Sequence, residues 1–155
     1  MTKILYVLVL FLGLSTGVLA PRQALATLGE PATSVESDSK VLSARQRTTT
    51  TRTAYTVQEV VSDANTVREY ITPAGIVFAI AWNGLTHPDL APLLGSYVGE
   101  YRQALRQTPR KPGRRSHQVR ANGVVVEKWG HMRNLQGRAY APALIPPGVS
   151  VDEIK

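Results

Sequence analysis

Cysteine is absent from all 155 residues. That gap excludes thiolate nucleophiles, iron–sulfur ligation, cysteine-bound zinc and lipid attachment at a cysteine. It also leaves the fold to packing and hydrogen bonds, with no disulfide to constrain the unfolded chain. Histidine is scarce: His87, His117 and His131 share no short ligand spacing beyond His87-x-Asp89. A zinc site needs three or four converging ligands, so neither a metal nor a cofactor is expected. A Gly-x-Ser-x-Gly elbow and a glycine-rich phosphate loop are missing too. Ser116 and His117 are neighbours on an expected strand, where adjacent side chains point to opposite faces, so they form no nucleophile–base pair. No catalytic residue is assigned.

Long apolar runs are limited to one, residues 4–14, preceded by Lys3. It falls short of the roughly 20 residues that cross a bilayer as a helix. A softer stretch ends in Ala24-Leu25-Ala26, the small-x-small pattern read by signal peptidase. Residues 1–26 are therefore expected to be a signal peptide cleaved between Ala26 and Thr27. Cleavage after Ala20 would place Pro21 at the cut and is the poorer site. The expected protein is exported, periplasmic or secreted, with no transmembrane segment. Its 129 remaining residues make one domain, large enough to bury about two-thirds of its unfolded surface.

Residues 27–53 read as a partly ordered leader, and residues 54–155 as a single α+β domain. Within the leader, four threonines between arginines, residues 48–51, suit a loop or an exposed edge strand. Extended segments are expected from Tyr55 to Val60, over residues 67–71, and over residues 76–82. Val67, Glu69 and Ile71 should share one face, with Arg68 and Tyr70 on the other. Residues 76–82 are almost wholly apolar, the mark of a strand covered on both sides. Leu90, Leu94, Tyr97, Tyr101 and Leu105 then form one stripe of an amphipathic helix. Its regular part is expected to begin near Ala91 or Pro92, with Leu90 a staple-like contact before it. Asn122-Gly123 between extended runs signals a hairpin. A further extended segment, residues 132–140, is expected to be broken by Gly137, and an irregular strap follows from Pro142. The sum is an antiparallel sheet of five or six strands with one amphipathic helix packed across it.

The block from Val67 to Trp82 (VREYITPAGIVFAIAW), continuing through Pro88-Asp89-Leu90, Leu93-Leu94-Gly95 and Tyr97, resembles a family of small exported bacterial proteins. That family is known as domain of unknown function 2844. Leu28-Gly29, Ser34-Val35 and Asp38 resemble its N-terminal pattern. Gly137-Arg138-Ala139-Tyr140, Pro142, Pro146 and Gly148-Val149 resemble its C-terminal one. The resemblance implies an exported single-domain protein, and it supplies no catalytic residue to carry over. The basic loop over residues 107–115 matches no feature of the family.

Charge is the remaining signal. Eighteen lysines and arginines face eleven acids, a net +7, or +5 once residues 1–26 are removed. Arg102, Arg106, Arg110, Lys111, Arg114, Arg115 and Arg120 fall between Tyr101 and Arg120 with no acid among them. The planar fork of arginine suits phosphate and carboxylate. The candidate ligand-binding residues are accordingly Arg102, Arg106, Arg110, Lys111, Arg114 and Arg115. The expected partners are an anionic envelope glycan, lipid phosphate or an acidic protein, since export argues against a dedicated nucleic-acid role. The leading expectation is a non-enzymatic envelope protein that binds through this loop. One alternative is an assembly protein pairing through the threonine-rich edge. Another is a hydrolase-like enzyme in which two of Glu59, Glu69, His87 and Asp89 converge, with Glu59 and Glu69 facing each other across a hairpin.

Overall fold

The computed structural model describes residues 27–32, 46–109, 113 and 115–155. The expected signal peptide through Ala26 lies outside the described residues. Among them, no helix is long and apolar enough to cross a membrane.

The protein is an α+β fold built on one antiparallel sheet of seven strands rather than five or six. The strands are β1 (Gln46–Thr51), β2 (Thr56–Val61), β3 (Asn65–Ile71), β4 (Val77–Gly84), β5 (Ser116–Arg120), β6 (Val125–His131) and β7 (Asn134–Tyr140). Their order across the sheet is β1-β2-β3-β4-β7-β6-β5. The first four strands form a meander, and the last three return to place β7 against β4. The extra strand is β1, from the threonine run. Threonine's branched side chain suits extended backbone, and residues 46–51 pair in full register with β2.

β4 lies at the centre, with six consecutive buried residues. The helical segment covers one of its faces: α1 (Leu90–Leu94), a 3-10 turn (Gly95–Tyr97) and α2 (Val98–Gln107). Val67, Ile71, Val77, Ile80 and Trp82 meet Leu90, Leu93, Leu94 and Tyr101 there. Glu69 is also buried on this face. The chain after β7 covers the other face, turning through Pro142–Leu144 and Val151–Glu153. Tyr55, Tyr70, Phe78, Val125 and Tyr140 pack there with Ile154. A register shift opposite Tyr70 and Ile71 lets Val77 face the helix while Phe78 faces the strap. Regular alternation would have placed Phe78 beside Ile80 and Trp82.

Several local expectations are corrected. The helix begins at Leu90, because Asp89 is its N-cap and accepts from the Ala91 amide at 3.0 Å. Pro92 then sits in the first turn, where its missing N–H has no cost. Gly137 does not break β7: it lies beneath Trp82, and a Cβ there would overlap the indole ring. Gly95 has φ 48°, and its missing Cβ admits the Thr27 side chain. Gly99 has open space around it. Residues 27–32 are tied into the domain: Leu28 is fully buried, and the Gly29 amide donates to the Val77 carbonyl at 2.8 Å.

Candidate functional site

The four side chains of the hydrolase alternative do not converge. Register places Arg68, not Glu69, opposite Glu59, and the Arg68 Nε donates to Glu59 Oε2 at 2.6 Å. That pair lies on the strap side, whereas Glu69 is buried on the helix side. Asp89 caps α1. His87 accepts the indole N–H of Trp82 at Nδ1, at 3.0 Å. Among the described residues, no group of three or more histidines or carboxylates could hold a metal ion.

Of the six candidate ligand-binding residues, Arg102, Arg106 and Arg115 are described, while Arg110, Lys111 and Arg114 lie outside the described residues. Arg102 and Arg106 stand one turn apart on the exposed side of α2, and Arg115 is exposed immediately before β5, the strand beside α2. No hydrogen bond or ion pair engages the guanidinium group of any of the three among the described residues. Arg68 and Arg138, by contrast, are tied to Glu59 and Glu127.

Beside Arg115 the helix stops while the sheet continues. The Thr108 hydroxyl and amide both donate to the Ala104 carbonyl, closing the last turn, and Pro109 cannot extend it. The uncovered sheet forms the floor of an open cleft of about 550 Å³. Its floor holds His117 and Lys128, directly opposite each other across β5 and β6. Both continue the face that carries Val119 and Val126 into the core. His87 enters from the β4–α1 connection, and Leu105, Pro109 and Leu135 supply apolar wall. Among the described residues, no carboxylate lines the cleft. Glu127, adjacent to Lys128 in sequence, points to the opposite face and binds Arg138 at 2.6 Å.

The electrostatics follow from this enclosure. Burial lowers the Lys128 pKa from its ordinary value. Burial lowers that of His87 as well, with the Lys128 charge a second cause. The indole donor requires Nδ1 of His87 to be unprotonated, which leaves the imidazole proton on Nε2.

A family model matches residues 24–154. The chain belongs to the family described as "Protein of unknown function (DUF2844)". No curated protein and no solved structure matches it. The DUF2844 match spans all seven strands, the helical segment and the strap, so the cleft lies within the family's own unit. The resemblance expected from residues 67–82 and both flanks is thereby established.

The sequence reading missed the cleft. Its signal was nevertheless present: alternation after Asn122-Gly123 puts Lys128 on the face of Val124 and Val126, and the hairpin register puts His117 opposite it. Leu105, read as the last residue of the buried stripe, is exposed and forms cleft wall instead. The stripe outlasts the layer it was expected to pack against.

Proposed function

We propose that this is an exported, non-enzymatic envelope protein, periplasmic or secreted, that binds an anionic partner through the basic end of α2. An anionic glycan, lipid phosphate or an acidic protein would suit it. The observation supporting this reading is the trio of exposed arginines, Arg102, Arg106 and Arg115, that carry no ion pair among the described residues. Unpaired guanidinium groups on one surface attract polyanions at long range and offer bidentate contacts on arrival.

The test is binding of the purified protein to an anionic glycan, phosphatidylglycerol vesicles and an acidic protein at low and high salt. Substituting all three arginines by glutamine should weaken binding by roughly tenfold or more, at about 0.5–1 kcal/mol per exposed charge pair. Raising the salt should have a similar effect, because exposed charges are screened within about 8 Å at physiological ionic strength. Undiminished binding in the triple variant would overturn the reading.

A second reading is supported by β1, which lies at one edge of the sheet with residues 48–51 exposed. No strand covers its outer side among the described residues. An assembly protein could add a partner strand there. Concentration-dependent association that is lost when proline replaces Thr49 would favour that role.

A further inference from the structure

Lys128 is a half-buried ammonium with no hydrogen bond or ion pair among the described residues. A charge taken partly out of water without a counter-ion is unfavourable. Among the described residues the usual remedy, a neighbouring carboxylate, is absent from the cleft lining, and the adjacent Glu127 is turned away and held by Arg138. The position nonetheless carries a lysine on the face where Val124 and Val126 are buried, at the point where that face opens into the cleft.

Three further donors surround it. His117 is the cross-strand partner of Lys128, at a position where side chains on one face lie about 5 Å apart. Arg115 lines the same cleft. His87, with Nδ1 occupied by Trp82, presents Nε2–H as a donor. We propose that this cleft binds a phosphate ester, with Lys128, His117, Arg115 and His87 around the phosphate and Leu105, Pro109 and Leu135 against the organic part. The inference goes beyond the anion-binding reading above: the cleft is a second site that shares Arg115 with that surface and includes neither Arg102 nor Arg106.

Three features select phosphate ester over other anions. Donors arrive from three elements, the β4–α1 connection, the start of β5 and β6, which suits a tetrahedral acceptor better than a planar carboxylate. The cationic side chains of Lys128 and Arg115 suit the negative charge of a phosphate ester, about −1.5 to −2 for a monoester near neutral pH and less for a diester. The volume of about 550 Å³ exceeds the need of inorganic phosphate and lies within the range of small-molecule sites. The apolar wall gives the remainder of such a ligand a surface to cover.

The phosphate could belong to a soluble ester or to a lipid headgroup, and the two sources are separable. The purified protein is titrated with glycerol 3-phosphate and with glycerate, followed by calorimetry. In parallel it is sedimented with phosphatidylglycerol vesicles, with phosphatidylcholine vesicles as the control. Wild type, Lys128→Gln, His117→Gln and the Arg102→Gln/Arg106→Gln double variant are compared, with circular dichroism confirming that each is folded.

The expected result is saturable binding of a phosphate source, weakened roughly tenfold or more by Lys128→Gln, as expected for loss of a charged hydrogen bond. His117→Gln should give a smaller loss, and the double arginine variant should retain affinity for glycerol 3-phosphate. Binding confined to phosphatidylglycerol vesicles, with the same Lys128 dependence, would identify a lipid headgroup as the source. No phosphate binding at millimolar ligand, binding indifferent to Lys128, or equal affinity for glycerate would overturn the inference. A polyanion still bound through Arg102 and Arg106 in that case would leave the surface reading standing. Loss of that arginine dependence alone would remove the surface reading instead.

Discussion

Trp82 donates its indole N–H to Nδ1 of His87 at 3.0 Å, with the two rings nearly perpendicular at 87°. The bond joins the central strand to the connection that leads into α1. It also places the wall of the cleft under the control of one protonation state. A proton added at Nδ1 would set two donors against each other.

This makes His87 a source of acid sensitivity. Burial, then the Lys128 charge, hold its folded-state pKa below the ordinary 6.5, so the unfolded chain takes up the proton first as pH falls. The stability it contributes is complete above about pH 6.5 and is lost as pH drops through the lower folded value. Thermal unfolding of wild type and His87→Phe at about pH 7.5 and about pH 5.5 checks this. The variant should show the shallower loss on acidification, and equal losses would exclude the role.

Gly137 is a tight steric constraint at the centre of the sheet. Alanine there would place a methyl group inside the volume of the Trp82 ring. Overpacking at a site walled by an indole and a paired backbone should cost about 2–3 kcal/mol. Urea denaturation of Gly137→Ala measures it, and Gly99→Ala, in open space on α2, is the control, with no loss expected.

Arg138 and Arg68 make a matched comparison. Each donates Nε to a glutamate at 2.6 Å, but the Arg138 pair is the less exposed of the two. Arg138 also donates Nη1 to the Val151 carbonyl at 2.6 Å and lies against the rings of Trp129 and Tyr140. Arg138→Met should cost about 3 kcal/mol, because it removes the cation paired with Glu127, leaving only the Gln118 amide on that carboxylate, and frees a carbonyl of the strap. Arg68→Met should cost about 1 kcal/mol. Equal losses in chemical denaturation would show that the strap contacts add nothing.

Lys128 should reveal itself as a trade of stability for binding. Lys128→Met replaces a half-buried ammonium by a side chain of similar length with no charge to desolvate. It should leave stability unchanged or raise it by up to about 1 kcal/mol while removing phosphate-ester binding. A loss of stability in calorimetry would show instead that the ammonium has a structural partner.

Leu28 tests whether the start of the expected leader belongs to the core. It is fully buried against the helical layer, and Leu28→Ala should cost about 3 kcal/mol in urea denaturation. A cost below about 1 kcal/mol would mark residues 27–32 as an appendage.

Much of this architecture is legible in the chain. The apolar run at residues 76–82 does mark a strand covered on both sides, and Val67 and Ile71 do face away from Tyr70. What composition and periodicity could not carry was register. Glu59 and Glu69 become a pair or strangers according to a single-residue offset, and alternation leaves that offset open. The bulge that turns Phe78 to the strap face breaks the very alternation used to read it. Gly137 looked like an interruption because the ring above it comes from a strand more than 50 residues earlier. The basic cluster was legible as composition. Its cleft was not, because the cavity depends on where α2 stops relative to the sheet beneath it.

The layer formed by residues 142–154 follows every strand in order of synthesis. Tyr55, Tyr70, Phe78 and Tyr140 therefore have nothing to pack beneath until that stretch has left the ribosome. A chain emerging N-terminus first can pair its strands early, but among the described residues the layer that closes over these aromatic rings is the last to emerge.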